Sequence, residues 1–175
     1  MRLSLLPLGV SLLAAQVLAD GASILAAMST ISNATVALND TLNSFPSSAL
    51  LAIGDIGPLL VDSVTLLDDI NSGVKVAQDS ANLTLAETIQ VAQATISLRS
   101  VVSSTLANLI TVKPRFDQLV VVSPVILVNL KLEKDATDRF GKAVVSKVPA
   151  AFQGTAVTLL APIDAAFNST IAIYS

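Results

Sequence analysis

The 175-residue chain has no cysteine, no histidine and no tryptophan. Without cysteine it can form no disulfide, offer no thiolate nucleophile and build no Cys-ligated zinc site. Without histidine it has no Ser-His-Asp triad, no imidazole base and no HExxH metal site. Charged residues are scarce at 13%, and aromatics scarcer at 3%. A formal charge of −3 and a pI of about 4.7 disfavour nucleic acid as a partner. What is abundant is apolar: 53% of residues, with a mean hydropathy of +0.73. Beyond residue 19, however, no run of about 18 consecutive apolar residues occurs, so no transmembrane span is expected. The composition suits a binding, coating or structural protein rather than an enzyme, and no cofactor is expected.

The N-terminus reads as a secretory signal. Arg2 precedes a charge-free apolar run from Leu3 to Ala15, broken by Pro7 and Gly9. Val17-Leu18-Ala19 then places small residues at the third and first positions before a cut between Ala19 and Asp20. The expected organisation is a signal peptide over 1–19 and one domain over 20–175. Asn33, Asn39, Asn82 and Asn168 each open an N-x-S/T sequon, in keeping with export. Asn33 and Asn168 face away from apolar stripes and Asn82 falls in a connection, whereas Asn39 lies nearer an apolar edge and is the poorer acceptor.

The apolar residues recur at helical spacing throughout. The first stripe is Ile24, Met28, Ile31, Thr35, Leu38, Leu42 and Phe45. The second is Leu60, Val64, Leu67, Ile70, Val74 and Ala77, preceded by a separate short piece because Gly54, Gly57 and Pro58 interrupt it; Asn71-Ser72-Gly73 could fray or kink it. Thr84 and Glu87 form a capping box for a third helix. That helix has two apolar faces, one with Leu85, Ile89, Ala92, Ile96 and Ile110, the other with Val91, Leu98, Val102 and Leu109, which suits the middle of a bundle; Pro114 should end or kink it. Ser123-Pro124 reads as an N-cap for a fourth helix carrying Ile126, Leu130, Thr137, Phe140 and Val144 and stopping at Val148-Pro149. A fifth carries Phe152, Ala156, Leu159, Ile163, Phe167 and Tyr174, with Pro162 as a kink. Strand readings compete at 120–122 and 125–128, but two fragments make no sheet. The fold class expected is all-α: a single antiparallel bundle of about five helices with short loops. Ile89, Ile96, Leu130, Phe140, Phe152, Leu159, Ile163 and Phe167 are the candidates for an apolar core or a lipid-lining wall.

Chemical motifs are weak. Asp55, Asp62 and Asp69 recur at seven residues, which suits a solvated helix face. Asp68 to Asp79 imitates a calcium loop but has Ile70 where an oxygen ligand is needed. No phosphate-binding loop and no G-x-S-x-G elbow occurs. No catalytic and no metal-binding residue is therefore assigned. Lys131, Lys134, Arg139, Lys142 and Lys147 cluster on and near the fourth helix, read either as charge matching between helices or as a dock for an anionic head group.

Several of these residues also carry a resemblance. The Ser/Thr/Ala-rich first half, the Thr84-to-Glu87 helix start, Lys113-Pro114-Arg115-Phe116, the Leu130-Lys131 helix, Phe140 with Lys147-Val148-Pro149, and the ending Ile171-Ala172-Ile173-Tyr174 resemble the fungal hydrophobic surface-binding protein A family, also called cell-wall galactomannoproteins. The resemblance implies a secreted or cell-wall mannoprotein with a helical bundle and no catalytic site. Its implied partners are hydrophobic surfaces or fatty acids, a secreted polyester-degrading enzyme and a cell-wall polysaccharide environment. Coating a surface and sequestering one acyl chain between the helices are both compatible with the sequence. A hydrolase working through Asp62 or Asp69 is the remote alternative.

Overall fold

The computed structural model describes residues 19–46, 49–119 and 121–175. The expected signal peptide, apart from Ala19, lies outside the described residues. Five helices follow in order: α1 (Ala19–Ser44), α2 (Ala49–Asp79), α3 (Leu85–Phe116), α4 (Val122–Lys147) and α5 (Ala150–Tyr174). No strand occurs among the described residues, and the β-branched run at 125–128 is helical.

The helices close into a ring in the spatial order α1, α2, α4, α5, α3, while α3 and α4 scarcely touch across it. Their directions follow from side-chain pairs. Ile31 lies against Gly73 and Thr41 against Asp62, so α1 and α2 are antiparallel. Lys134 meets Asp164 and Gly141 meets Leu160, so α4 and α5 are antiparallel too. The next-but-one neighbours run parallel. Gly21 and Thr35 of α1 and Phe45 just past its end bond Glu87, Thr105 and Arg115 of α3, and Ser63, Asn71 and Gln78 of α2 bond Glu133, Arg139 and Lys147 of α4.

On α1 the whole expected stripe from Ile24 to Phe45 is buried, Thr35 included. The Thr35 hydroxyl donates to the Ile31 carbonyl at 2.7 Å, which satisfies it inside the helix. On α2 the stripe is displaced from the expected one. Leu59, Ser63 and Leu66 are buried, Leu60 and Leu67 are half-buried, and Val64 is exposed. The doublets Leu59-Leu60 and Leu66-Leu67 permit either phase, and the hydrogen bond from Ser63 to buried Glu133 accompanies the one adopted. Nor is there a separate short piece: the helix runs unbroken through Gly54, Gly57 and Pro58, all exposed, where water can serve the carbonyl that proline leaves unpaired. Asn71-Ser72-Gly73 is continuous helix. A Cβ at Gly73 would sit 3.1 Å from Ile31 Cδ1 and 3.2 Å from Phe140 Cε2, so its bare backbone lets α1 and α4 close in.

The capping box at Thr84 and Glu87 is formed, and Glu87 also accepts the Gly21 N–H of α1. α3 does not occupy the middle of the bundle. Its Val91, Leu98 and Leu109 face is buried, but Leu85, Ile89 and Ile96 are exposed, because a ring member packs only on its inner side. It continues through Pro114 to Phe116, whose ring meets Phe45 edge-on at 4.8 Å. Ser123 is not the cap of α4. The helix starts at Val122, and the Ser123 hydroxyl bonds Asp117 instead, with Pro124 in the first turn, where its missing N–H is tolerated. α5 includes Pro162 and buries Ile163, Phe167, Thr170 and Tyr174, all in its second half. By length and composition Gly21–Ser44 and Ala150–Tyr174 are apolar enough to cross a membrane, although each lays a buried stripe into the ring.

Candidate functional site: an apolar axis with one buried carboxyl

All five helices line a small central cavity of about 50 Å³. Ile31, Ile70 and Leu106 come from the first three, and Leu130, Phe140, Ile163 and Phe167 from the last two. The sequence-predicted residues of α4 and of the second half of α5 thus converge there. A second cavity, of about 230 Å³, lies between α3, α5 and the end of α4. It brings together Ile89, Phe152 and Leu159. Ile89 is 53% exposed and Phe152 42%, so these two form a rim rather than a core. Ile96 lines neither cavity and is 47% exposed. It lies on the outer face of α3, and its assignment to the core or lining is corrected accordingly. A groove of about 640 Å³ runs between α4 and α5, past Thr137, Lys142 and Gln153. Thr137 and Ile163 line both this groove and the central cavity, and Leu160 lines both the groove and the side cavity.

Threonines in these walls behave as apolar residues. Thr35, Thr95 and Thr105 each donate to the carbonyl four residues earlier. The exception to the apolar lining is Glu133, only 5% exposed. Its Oε1 accepts the Ser63 hydroxyl at 2.7 Å, and no ion pair reaches it among the described residues. Burial without a counter-charge pushes its pKa up to about 7, against the opposing pull of the Ser63 hydrogen bond. A further space of about 20 Å³ lies beside it, sharing Leu38, Leu109 and Leu130 with the central cavity. Sequence reading missed Glu133, yet the signal was present. The α4 stripe of Ile126, Leu130, Thr137, Phe140 and Val144 has one vacant slot, and Glu133 fills it.

The basic cluster resolves mainly into ties between helices. Lys134 pairs with Asp138 at 2.8 Å and with Asp164 of α5 at 2.5 Å. Arg139 pairs with Asp135 and donates to Asn71 of α2, and Lys147 donates to the Gln78 carbonyl. Lys131 and Lys142 are exposed. Asp62 accepts the Thr41 hydroxyl, and no group of three or more potential metal ligands occurs among the described residues. Asn33, Asn82 and Asn168 are exposed, whereas Asn39 is half-buried and accepts from Asn108.

Residues 21–146 match the family model of hydrophobic surface binding protein A. No curated protein matches the chain by sequence. Among solved structures, the crystal structure of AfMP4p in complex with palmitic acid is 27% identical with a TM-score of 0.80, over 89% of this chain and 100% of that one. Ligand binding domain 1 of the Penicillium marneffei MP1 protein, complexed with arachidonic acids, is 18% identical with a TM-score of 0.82, over 89% and 99%. Domain 2 of that protein, complexed with multiple arachidonic acids, is 21% identical with a TM-score of 0.78, over 88% and 95%. These last two likenesses establish a shared fold.

Proposed function

The chain belongs to the hydrophobic surface binding protein A family, and on that premise we propose that it is a non-catalytic lipid-binding protein whose interior takes one acyl chain. The observation that carries this reading is the apolar axis of the ring. From Glu133 to Val145, on the wall of the side cavity, α4 advances twelve residues, or about 18 Å at 1.5 Å per residue. That is comparable to an extended palmitoyl chain, and palmitic acid is what the AfMP4p crystal contains.

The central cavity beside Glu133 is by itself too small for such a ligand. Small-molecule pockets run to about 300–1,000 Å³, and the central cavity has about 50 Å³. Entry therefore requires a helix to yield, and the first half of α5 is the one placed to do so. No residue from Ala150 to Pro162 is fully buried, and open space flanks this half on both sides. Its polar ties to other helices, Asp164 to Lys134 and Tyr174 to the Leu109 carbonyl, lie in the second half.

A second reading, adsorption to apolar surfaces, is favoured by a stripe on the outside of α4. Val125, Val128 and Leu132, and Val121 just before the helix, are exposed at helical spacing. In either reading the protein is exported with a cut after Ala19, carries glycans at Asn33, Asn82 or Asn168 more readily than at Asn39, and acts in the medium or at the cell wall. A waxy or polyester surface, with the secreted enzyme that degrades it, is the partner environment of the second reading.

The test is native mass spectrometry of the secreted protein before and after delipidation, followed by titration with palmitate. One lipid per chain is expected. Ala156→Trp, at a half-buried position on the side cavity, should fill that space and weaken binding about tenfold or more without changing the helical circular dichroism. Absence of any stoichiometric lipid, together with full adsorption to hydrophobic beads, would favour coating instead.

A further inference from the structure

Glu133 stands where a ligand's polar end would arrive if a lipid entered head first. The two spaces beside it are lined by Ile31, Thr35 and Leu38 of α1, Leu59, Ser63 and Leu66 of α2, Thr105 and Leu109 of α3, and Ile163 and Phe167 of α5. Among the described residues, no titratable or charged group from these four helices lines the spaces beside Glu133. On α4 its neighbours in the lining are Asn129, Leu130 and Thr137. The nearest lysine in sequence, Lys134, is engaged with Asp138 and Asp164 in the α4–α5 groove. The Thr35 and Thr105 hydroxyl protons are directed at backbone carbonyls. Among the described residues, the inner end of the axis therefore offers a carboxyl, a serine hydroxyl and the Asn129 amide, with no cation.

Resting on the lipid-binding reading above, we propose that Glu133 and Ser63 form a head-group site selecting lipids that end in an uncharged hydroxyl, such as long-chain alcohols or monoacylglycerols, over fatty-acid anions. A hydroxyl is both donor and acceptor. It can donate to Glu133 when the carboxyl is ionised and accept from it when the carboxyl is protonated, so its binding needs no change of charge. A fatty-acid carboxylate can only accept. Beside an ionised Glu133 it would place two negative charges in an apolar interior, which forces the pair to hold one proton between them. Fatty-acid binding then carries a proton with it, and alcohol binding does not.

The experiment is displacement of the neutral fluorophore N-phenyl-1-naphthylamine by dodecan-1-ol and by dodecanoate, from pH 6 to pH 9. With Glu133 titrating at about 7, the dodecanoate Kd should rise by up to about tenfold per pH unit above that point. The dodecan-1-ol Kd should stay level, giving the alcohol at least a tenfold advantage by pH 8.5. Glu133→Gln, whose amide can donate to a carboxylate, should flatten the dodecanoate profile and remove the preference. Ser63→Ala removes the hydrogen bond that favours the ionised carboxyl, so it should move the dodecanoate profile to higher pH. It also serves if the first variant fails to fold. Equal binding of the two ligands at pH 8.5, or a dodecanoate profile that neither variant moves, would overturn head-group selection while leaving lipid binding intact. If neither ligand displaces the fluorophore at any pH, the lipid-binding reading falls and the selection with it.

Discussion

A carboxyl held in an apolar wall by a single hydroxyl has consequences for stability as well as for binding. Glu133 has a folded pKa of about 7 against an ordinary value of 4.5. Between those values the folded state holds a proton that the unfolded state has lost. Stability is therefore greatest below the lower value and falls as pH rises through the upper one. The gap corresponds to about 3 kcal/mol. Urea unfolding should show the wild type losing about that much, relative to Glu133→Gln, between pH 4.5 and pH 8. Glu87 and Asp117 act in the opposite sense. Hydrogen bonds from Thr84 and from Lys113, respectively, hold their carboxyls below the ordinary range, so their contributions are lost only as pH falls into acid. The comparison with Glu133→Gln separates the two effects. If both proteins lose stability equally across this range, Glu133 is not the residue that titrates.

At the scale of the helix, position decides what a glycine does. Gly54 and Gly73 both lie inside α2, but a Cβ at Gly54 would meet nothing within 4 Å, while one at Gly73 would press on Ile31 and Phe140. Gly54→Ala should therefore stabilise by about 0.5–1 kcal/mol through helix propensity. Gly73→Leu should destabilise by about 1–3 kcal/mol through overpacking. Thermal unfolding of the two variants should move in opposite directions, and a Gly73→Leu variant as stable as wild type would mean that α1 and α4 do not close over α2 as described. The same contrast explains what the sequence could disclose. The α1 stripe was legible to its last member because the large apolar residues from Ile24 to Phe45 keep one helical phase, with Leu25 and Val36 alone outside it. The α2 phase was not, since leucine doublets fit two registers and a serine took the inner one. Glu133 escaped for a related reason: a search for apolar periodicity passes over an acid even when the acid keeps the period. The capping box at Thr84 was readable because its chemistry is contained within four residues. The start of α4 was not, because Ser123 is drawn to Asp117, six residues back. Nothing local records which helix lies beside which, so the spatial order of the ring and its two cavities came only with the structure.

At the scale of the whole molecule, the proposed lipid binding places the entrance where α5 can part from α4. A Cβ at Gly141 would lie 3.9 Å from Leu160 Cγ, the place a cysteine Sγ would take, so a cross-link there needs the two helices to draw slightly together. The chain has no cysteine of its own, so Gly141→Cys with Leu160→Cys gives a single defined cross-link. Oxidised, this variant should take up palmitate much more slowly than wild type in stopped-flow measurements, and reduction should restore the rate. Unchanged uptake by the oxidised form would place the entrance elsewhere. The ring order bears equally on how the chain reaches its native state. The hydrogen bonds joining α1 to α3, α2 to α4 and α3 to α5 link residues 65 to 70 positions apart, and α2 and α3, although consecutive, are not ring neighbours. An up-and-down bundle grows by hairpins, each closing a short loop. Here three of the five interfaces each wait for a whole intervening helix to be made and positioned, which raises the contact order and slows the search. The chain should accordingly fold more slowly than a simple hairpin bundle of its length. Because α5 supplies both of the last contacts that shut the circle, a polypeptide emerging from its N-terminus can leave its acid-bearing interior unsealed until the final 25 residues of helix arrive.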